Sequence, residues 1–237
     1  MALPKLTTPT YELEIPSTDE KIKYRPFLVK EEKILLIALE SGKSEDIITA
    51  IKDIVTECTY GKIDLGKIPM FDVEYIFLNI RAKSVGEVST LRLLCPDDKE
   101  TYVNVDIDLS EIMVQVDKGH NPKIELTDEM GMIMTYPSID SLSATGVTDI
   151  TADNMLDVIG ACILQIYDKK GEEVFETKDQ TKKEISEFVE SLNTKQFADV
   201  QKFFDTMPKL KHTIEVENPK TKVKSKIVLQ GLNDFFE

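Results

Sequence analysis

Two stretches of the chain repeat one order of elements, and this repetition constrains the fold more than any other feature of the sequence. Each stretch predicts a helix, then a hairpin with a proline at its tip, then an apolar turn. A shift of 123 residues aligns four pairs of residues: Pro96 with Pro219, Val105 with Val228, Leu109 with Leu232, and Ile112 with Phe235. The same shift places the helix predicted at 69–83 on the helix predicted at 194–206. The pattern favours a duplicated unit, because a lone two-stranded hairpin is only marginally stable.

The sequence therefore predicts an α+β fold of two similar halves, 1–137 and 138–237, each with helices packed on antiparallel hairpins. The first half opens with an extended arm and a hairpin at 11–15 and 21–25. Helical spacing then predicts one helix that ends at Gly42, a second that begins at Ser44, and a third at 69–83. Strands are predicted at 87–94, 101–107, 111–116, 122–126 and 131–136.

The second half begins after a polar stretch at 138–151, which is the predicted boundary. Residues 155–166 are apolar on nearly every side and predict a central helix capped by residues 152–154. A short strand at 174–175, helices at 181–192 and 194–206, and a last hairpin at 212–217 and 223–229 complete the prediction.

Composition excludes several classes of protein. The chain has 29 basic and 43 acidic residues, a net charge of −14, which argues against general nucleic-acid binding. No apolar run approaches the roughly 20 residues that cross a bilayer, and the N-terminus lacks the apolar core of a signal peptide. The 3 cysteines are far apart and form no CxxC pair, so we expect reduced thiols and neither a disulfide framework nor a thiolate zinc site.

Catalytic and metal-binding motifs are weak. Neither of the 2 histidines lies beside a recognisable nucleophile, so a catalytic triad is not predicted. Two carboxylate pairs, Asp97 with Asp98 and Asp106 with Asp108, suggest a hard-cation site or a carboxylate-based enzyme as the alternative function. Aspartates are common in turns, which accounts for the first pair, and the second pair fits the solvent-facing side of a strand. We therefore expect that the protein binds no cofactor and is not an enzyme.

The C-terminal region carries the candidate partner-binding residues. Six lysines fall between residues 209 and 226, and they predict either a solvated hairpin face or a site for an acidic protein partner. The terminal Phe235-Phe236 either folds back onto the core or docks on another chain. The candidate partner-binding residues are Lys220, Lys222, Lys224, Leu232, Phe235 and Phe236.

Three runs of sequence resemble the T4-type bacteriophage baseplate protein family: KYRPFLVKEEKILL at 23–36, RAKSVGE at 81–87 and LQGLNDFF at 229–236. The resemblance implies a non-enzymatic hub subunit or hub-assembly chaperone of a contractile-tailed phage. The implied partners are baseplate hub proteins or the tape-measure protein, and the oligomeric state is left open. The acidic charge and the lack of a long apolar run predict no nucleic-acid partner and no membrane. The implied location is the infected-host cytoplasm during tail assembly, with the virion baseplate hub as the alternative.

In many members of this family the hairpin tips carry a Cys-Pro-x-Cys knuckle suggestive of zinc. The corresponding tips of this chain are CPDD at 95–98 and NPKT at 218–221, so three of the four possible ligands are absent. The resemblance therefore implies no metal here, although both tips align on the same four-residue knuckle.

Overall fold

The computed structural model describes residues 6–145 and 154–235, which form helices and small antiparallel sheets. The helices of these residues are α1 Val29–Ser41, α2 Ser44–Cys58, α3 Met70–Val85, α4 Ile139–Thr145, α5 Met155–Ala161, α6 Lys182–Glu190 and α7 Thr194–Thr206. The strands are β1 Tyr11–Glu14, β2 Lys21–Tyr24, β3 Val88–Leu94, β4 Tyr102–Asp108, β5 Met113–Gln115, β6 Lys123–Glu125, β7 Met130–Met134, β8 Ile163–Asp168, β9 Glu173–Glu176, β10 Lys209–Glu217 and β11 Lys224–Gln230. The predicted α+β class is confirmed.

The chain divides into two compact units. Unit 1 comprises Met1–Asp64, Phe71–Gln115 and Lys209–Glu237, and unit 2 comprises Leu65–Met70 and Val116–Pro208. The last hairpin belongs to unit 1, and the division into halves 1–137 and 138–237 stays a prediction. The duplication of a helix–hairpin unit stays a prediction.

Unit 1 is built around α3, which is apolar on most sides and therefore mostly buried. Its strands pair as β1 with β2, β3 with β4, and β10 with both β11 and β5, all antiparallel. Leu78 of α3, Leu91 of β3, Leu210 of β10 and Phe235 meet in one core cluster and are almost completely buried. The two later hairpins thus share a core that neither could form alone.

Unit 2 is a four-stranded antiparallel sheet in the order β6-β7-β8-β9, with helices packed against it. Alternate residues of β7, Met132 and Met134, are buried, as the two-residue period of a strand requires. They pack in one cluster with Val200 and Phe203 of α7. In the described parts of both units, no helix combines the length and the apolar character that spanning a membrane requires.

The helix predicted at 155–166 is wrong in its second part. Helix α5 ends at Ala161, and Ile163–Asp168 is strand β8, which pairs with β7 and β9. An apolar run without clear periodicity fits a buried strand as well as a buried helix. The strand forms here because pairing on both sides satisfies its backbone groups. Helix α4 lies within the predicted polar boundary, whereas residues 146–153, which include most of the predicted cap, lie outside the described residues.

Candidate functional site

An apolar groove in unit 1 is the main candidate for a binding site. It has a volume of about 510 Å³ and is lined by side chains of α1, α2 and α3 and by residues beside them. The lining residues include Phe27, Leu36, Leu39, Ile47, Phe77 and Leu232. A largely apolar concave surface with few polar groups is typical of sites that receive apolar side chains.

Helix α1 supplies the exposed wall of the groove. The apolar stripe that the sequence predicts comprises Ile34, Leu35, Ile37, Ala38 and Leu39, of which Ile34, Ile37 and Leu39 are 44–57% exposed. Leu36 lies outside the predicted stripe, is 55% exposed, and lines the groove together with Leu35 and Leu39. Only Ala38 of the stripe is buried. Large apolar side chains clustered on one helix and left exposed are typical of a surface that another protein covers.

The start and end of α1 are well defined. The N–H of Leu28 donates to the Glu31 carboxylate at 2.6 Å, which satisfies a backbone donor at the start of the helix. The helix ends at Gly42, whose φ of 66° is left-handed and suits glycine. The Gly42 N–H donates to the Leu39 carbonyl at 3.1 Å, and α2 begins two residues later. The exposed stripe is therefore held on an ordered helix.

Charge around the groove is mixed but acidic on balance. Across 29–58 there are seven acidic and four basic residues. Arg81 also lines the groove, and burial lowers the pKa of its guanidinium. The charged residues that line the groove are Glu32 and Arg81, whereas helices α1 and α2, which form part of it, are acidic on balance.

The predicted partner-binding residues occupy different environments. Leu232 is half-buried and lines the groove, whereas Phe235 is fully buried in the core of unit 1. Phe236 lies outside the described residues. Lys220, Lys222 and Lys224 are exposed at the end of the β10–β11 hairpin.

Glutamates of the facing strand accompany these lysines. Lys222 lies 3.9 Å from the Glu217 carboxylate, and Lys226 lies 3.7 Å from Glu215. Lys224 is the register partner of Glu217 across the hairpin. Positive and negative side chains therefore alternate on this face of the hairpin, and the glutamates weaken the positive electrostatic field of the lysines.

The tips of the two later hairpins meet. The Asn218 Nδ2 donates to both carboxylate oxygens of Asp97 at 3.0 Å, and the Thr221 hydroxyl donates to Asp97 at 2.5 Å. These hydrogen bonds, that from Thr221 first, lower the pKa of Asp97. Asn218 is 1% exposed, yet its oxygen also accepts from the N–H groups of Lys220 and Thr221.

Each tip also has the same local backbone pattern. The Lys99 N–H donates to the Cys95 carbonyl at 3.0 Å, and the Lys222 N–H donates to the Asn218 carbonyl at 2.9 Å. Lys99 and Lys222 both have positive φ, 54° and 63°. These pairs are offset by the 123 residues that align the two hairpins in the sequence.

The four candidate carboxylates are not gathered into one site. Asp98 accepts hydrogen bonds from Thr101 within its own tip, and Asp108 accepts from Ser110. Asp106 accepts from Thr90 at 2.6 Å, its register partner on β3. At about 3.3 Å per residue, Asp106 lies more than 10 Å along the strand from the tip. No group of three or more metal-ligating side chains occurs in the part of the chain that the structure describes.

The three cysteines and His120 are held within the protein. Cys58, Cys95 and Cys162 are free and buried, and burial raises the pKa of each thiol. His120 lies between the Thr206 and Tyr136 hydroxyls, each 3.0 Å from a ring nitrogen. These environments are typical of structural side chains, not of an exposed nucleophile and base.

An α+β protein with an exposed apolar groove, whose four candidate carboxylates accept hydrogen bonds from other residues of the chain, fits the class of proteins that act by binding other proteins. The chain belongs to the family described as T4 bacteriophage base plate protein, whose family model matches residues 8–237. The resemblance predicted from the sequence is thus confirmed, and the family gives the chain a structural role in a phage baseplate, in contact with other baseplate proteins. No curated protein and no solved structure matches the chain.

The sequence did not identify the groove. It showed the apolar residues of α1 but gave no sign that they face solvent, because exposure depends on which surfaces α2 and α3 cover. The one signal in the sequence is Leu232, a predicted partner-binding residue that lines the groove.

Proposed function

We propose that this protein binds a baseplate hub chain through the apolar groove of unit 1 and thereby helps to assemble the central hub. The observation that carries the proposal is the exposure of Leu36 and Leu39, 55% and 51%, on the wall of that groove. Exposed leucines at a concave apolar surface are costly in water, and covering them stabilises a complex.

The occupant that fits best is an apolar helical segment of a hub or tape-measure chain, flanked by basic residues. Apolar side chains at helical spacing fill a groove between helices, which is a common mode of peptide recognition. The acidic balance of α1 and α2 favours lysine or arginine beside them. Binding would cover apolar surface on the partner until it meets its neighbours in the hub, which limits premature association.

Two substitutions on one helix test the groove. Leu36 and Ile37 are exposed to the same degree, 55% and 57%, but only Leu36 lines the groove. Leu36→Ser should weaken binding to co-expressed, affinity-tagged hub proteins by roughly tenfold or more, because a central apolar contact is worth about 1–3 kcal/mol. Ile37→Ser is the matched control and should bind as wild type does. Equal loss in both variants, or in neither, would contradict the groove as the binding site.

The predicted C-terminal anchor is a separate part of the proposal. Phe235 is buried in the unbound chain, so it would have to leave the core to enter a partner. If a chain truncated after Asp234 folds and binds hub proteins normally, the C-terminal phenylalanines are not an anchor. The proposed role of the groove would be unaffected by that result.

The hub role itself has two forms, a permanent virion subunit or a transient assembly chaperone. We propose the chaperone form, in the infected-host cytoplasm, because a high net charge of −14 keeps a free chain soluble before it meets its partner. Mass spectrometry of purified contractile-tailed particles distinguishes the two. Presence of the chain at a fixed copy number would establish the subunit form, and absence would support the chaperone.

A further inference from the structure

The two hairpin tips of unit 1 are joined at the positions of the family's Cys-Pro-x-Cys knuckles. These positions are held here by Cys95 and Asp98 in the first tip and by Asn218 and Thr221 in the second. A structural zinc site needs four thiolate, imidazole or carboxylate ligands. Asn218 and Thr221 are not such ligands, and no metal-ligating cluster occurs among residues 6–145 and 154–235. The residues present do not fit zinc.

The polar groups at the second tip are instead satisfied by the protein. The Asn218 amide donates twice to Asp97 and its oxygen accepts two backbone N–H groups of its own tip. Thr221 adds a third donor to Asp97. The Asp97 carboxylate, which is itself exposed, thus accepts charge-assisted hydrogen bonds from one buried amide and one hydroxyl.

We infer that a hydrogen-bonded clamp of Asp97, Asn218 and Thr221 joins the two hairpin tips and takes the place of a metal ion in this chain. Asp97 stands one position from the knuckle residue Asp98, so the clamp uses the variable residue of the first tip and both knuckle positions of the second. The consequence is a unit 1 that folds without zinc.

The clamp also explains the burial of Asn218. An amide that is 1% exposed would be destabilising if its donors and acceptor lacked partners. Its Nδ2 lies 3.0 Å from both carboxylate oxygens of Asp97 in the other hairpin, and the neighbouring Asp98 also interacts with the Asn218 side chain. The pairing of the tips therefore depends on these side chains. A substitution of Asp97 should therefore alter the effect that a substitution of Asn218 has on stability, and the reverse should also hold.

A double-mutant cycle on the full-length protein tests the clamp. Asp97→Ala and Asn218→Ala should each raise the unfolding equilibrium constant, and the double variant should fall short of the product of the two effects by roughly three- to tenfold. Multiplicative effects would overturn the inference, because they would show that the two side chains do not interact.

A milder variant keeps the test valid if the alanine variants do not fold. Thr221→Val removes one donor to Asp97 and should lower the melting temperature. Thr213→Val, an exposed threonine in the middle of β10, is the matched control and should not. Equal melting temperatures for Thr221→Val and wild type would overturn the role of Thr221 in the clamp.

Zinc itself is tested directly on the wild-type protein. Metal analysis should find less than stoichiometric zinc, and the melting temperature should be the same with and without EDTA. Stoichiometric zinc, or a melting temperature that EDTA lowers, would overturn the metal-free clamp. None of these measurements depends on partner binding. They therefore test the clamp independently of the proposed hub function.

Discussion

The guanidinium of Arg25 and the carboxylate of Glu31 form an ion pair of 3.0 Å, with the residues only 9% and 2% exposed. Glu31 also accepts the Leu28 N–H, so one side chain both pairs with Arg25 and caps α1. Burial opposes ionisation of Glu31, but hydrogen bonds from Arg25, Leu28 and Lys30 outweigh it and lower its pKa. Both residues belong to the KYRPFLVKEEKILL run that carries part of the family resemblance, and here they stabilise the start of α1.

Glu31→Gln should destabilise unit 1 by about 3 kcal/mol, because it leaves the buried Arg25 without its charge partner. The lowered pKa means that the contribution of Glu31 is present above its usual pKa of 4.5 and is lost as the pH falls. Urea unfolding near neutral pH measures the difference. Glu40→Gln, at an exposed position of the same helix, is the control and should change stability little. A similar loss in both variants would show that the ion pair has no special role.

Local patterns were sufficient to predict most elements. The stripes of α2 and α3 and both proline-tipped hairpins follow from spacing and turn residues that lie close together in the chain. Strand β8 was missed, because its apolar run has no clear period and its strand form depends on β7 and β9. That dependence on partners distant in sequence is what a single sequence does not reveal.

The candidate site was harder to predict for the same reason. Alignment of the two tips followed from the sequence, but the contact between Asp97 and Asn218 spans 121 residues and depends on tertiary packing. The exposure of Leu36 likewise depends on how α2 and α3 cover α1. Sequence periodicity shows that a helix has an apolar stripe but not whether its partner lies in the same chain.

Glu74 of α3 should make the stability of the protein depend on pH at values above the usual pKa of a glutamate. Burial raises its pKa to about 7. A folded pKa above the unfolded value of 4.5 means that folding is favoured at low pH and loses stability as the pH rises through 7. Glu74→Gln should therefore be more stable than wild type by about 1–3 kcal/mol near pH 8 and nearly equal to it near pH 4.

Urea unfolding at the two pH values measures the Glu74 effect. Glu57→Gln, at an exposed position of α2, is the control and should show no gain at the higher pH. A wild-type protein as stable as Glu74→Gln near pH 8 would contradict the raised pKa of Glu74.

His120 of unit 2 should respond to pH in the opposite direction. Its ring lies 5.1 Å from the ring of Phe203, and burial lowers its pKa although Asp117 acts to raise it. The pKa of His120 in the folded protein lies below 6.5, so the unfolded chain is protonated at a higher pH than the folded protein. The free energy of unfolding therefore falls as the pH drops below 6.5. The slope should approach 1.4 kcal/mol per pH unit at most.

Proton NMR titration of the His120 ring and unfolding measured across the same pH range test this prediction. His120→Gln should remove this part of the slope, whereas wild type retains it. A His120 titration midpoint at or above 6.5 would contradict the lowered pKa.

Gly131 should be intolerant of any side chain. It lies in β7 opposite Tyr167 of β8, and an added Cβ would lie 2.2 Å from the Tyr167 hydroxyl and 2.9 Å from the Ile124 carbonyl oxygen. The tyrosine tip can rotate away, but the backbone carbonyl of the neighbouring strand cannot move without disturbing the β6–β7 pairing. Gly131→Ala should therefore destabilise unit 2 by about 1–3 kcal/mol. Gly171→Ala is the control, because the nearest atom there is a flexible Asp168 side-chain oxygen at 3.3 Å. If thermal unfolding shows Gly131→Ala to be as stable as Gly171→Ala, the Ile124 carbonyl does not crowd this glycine as described.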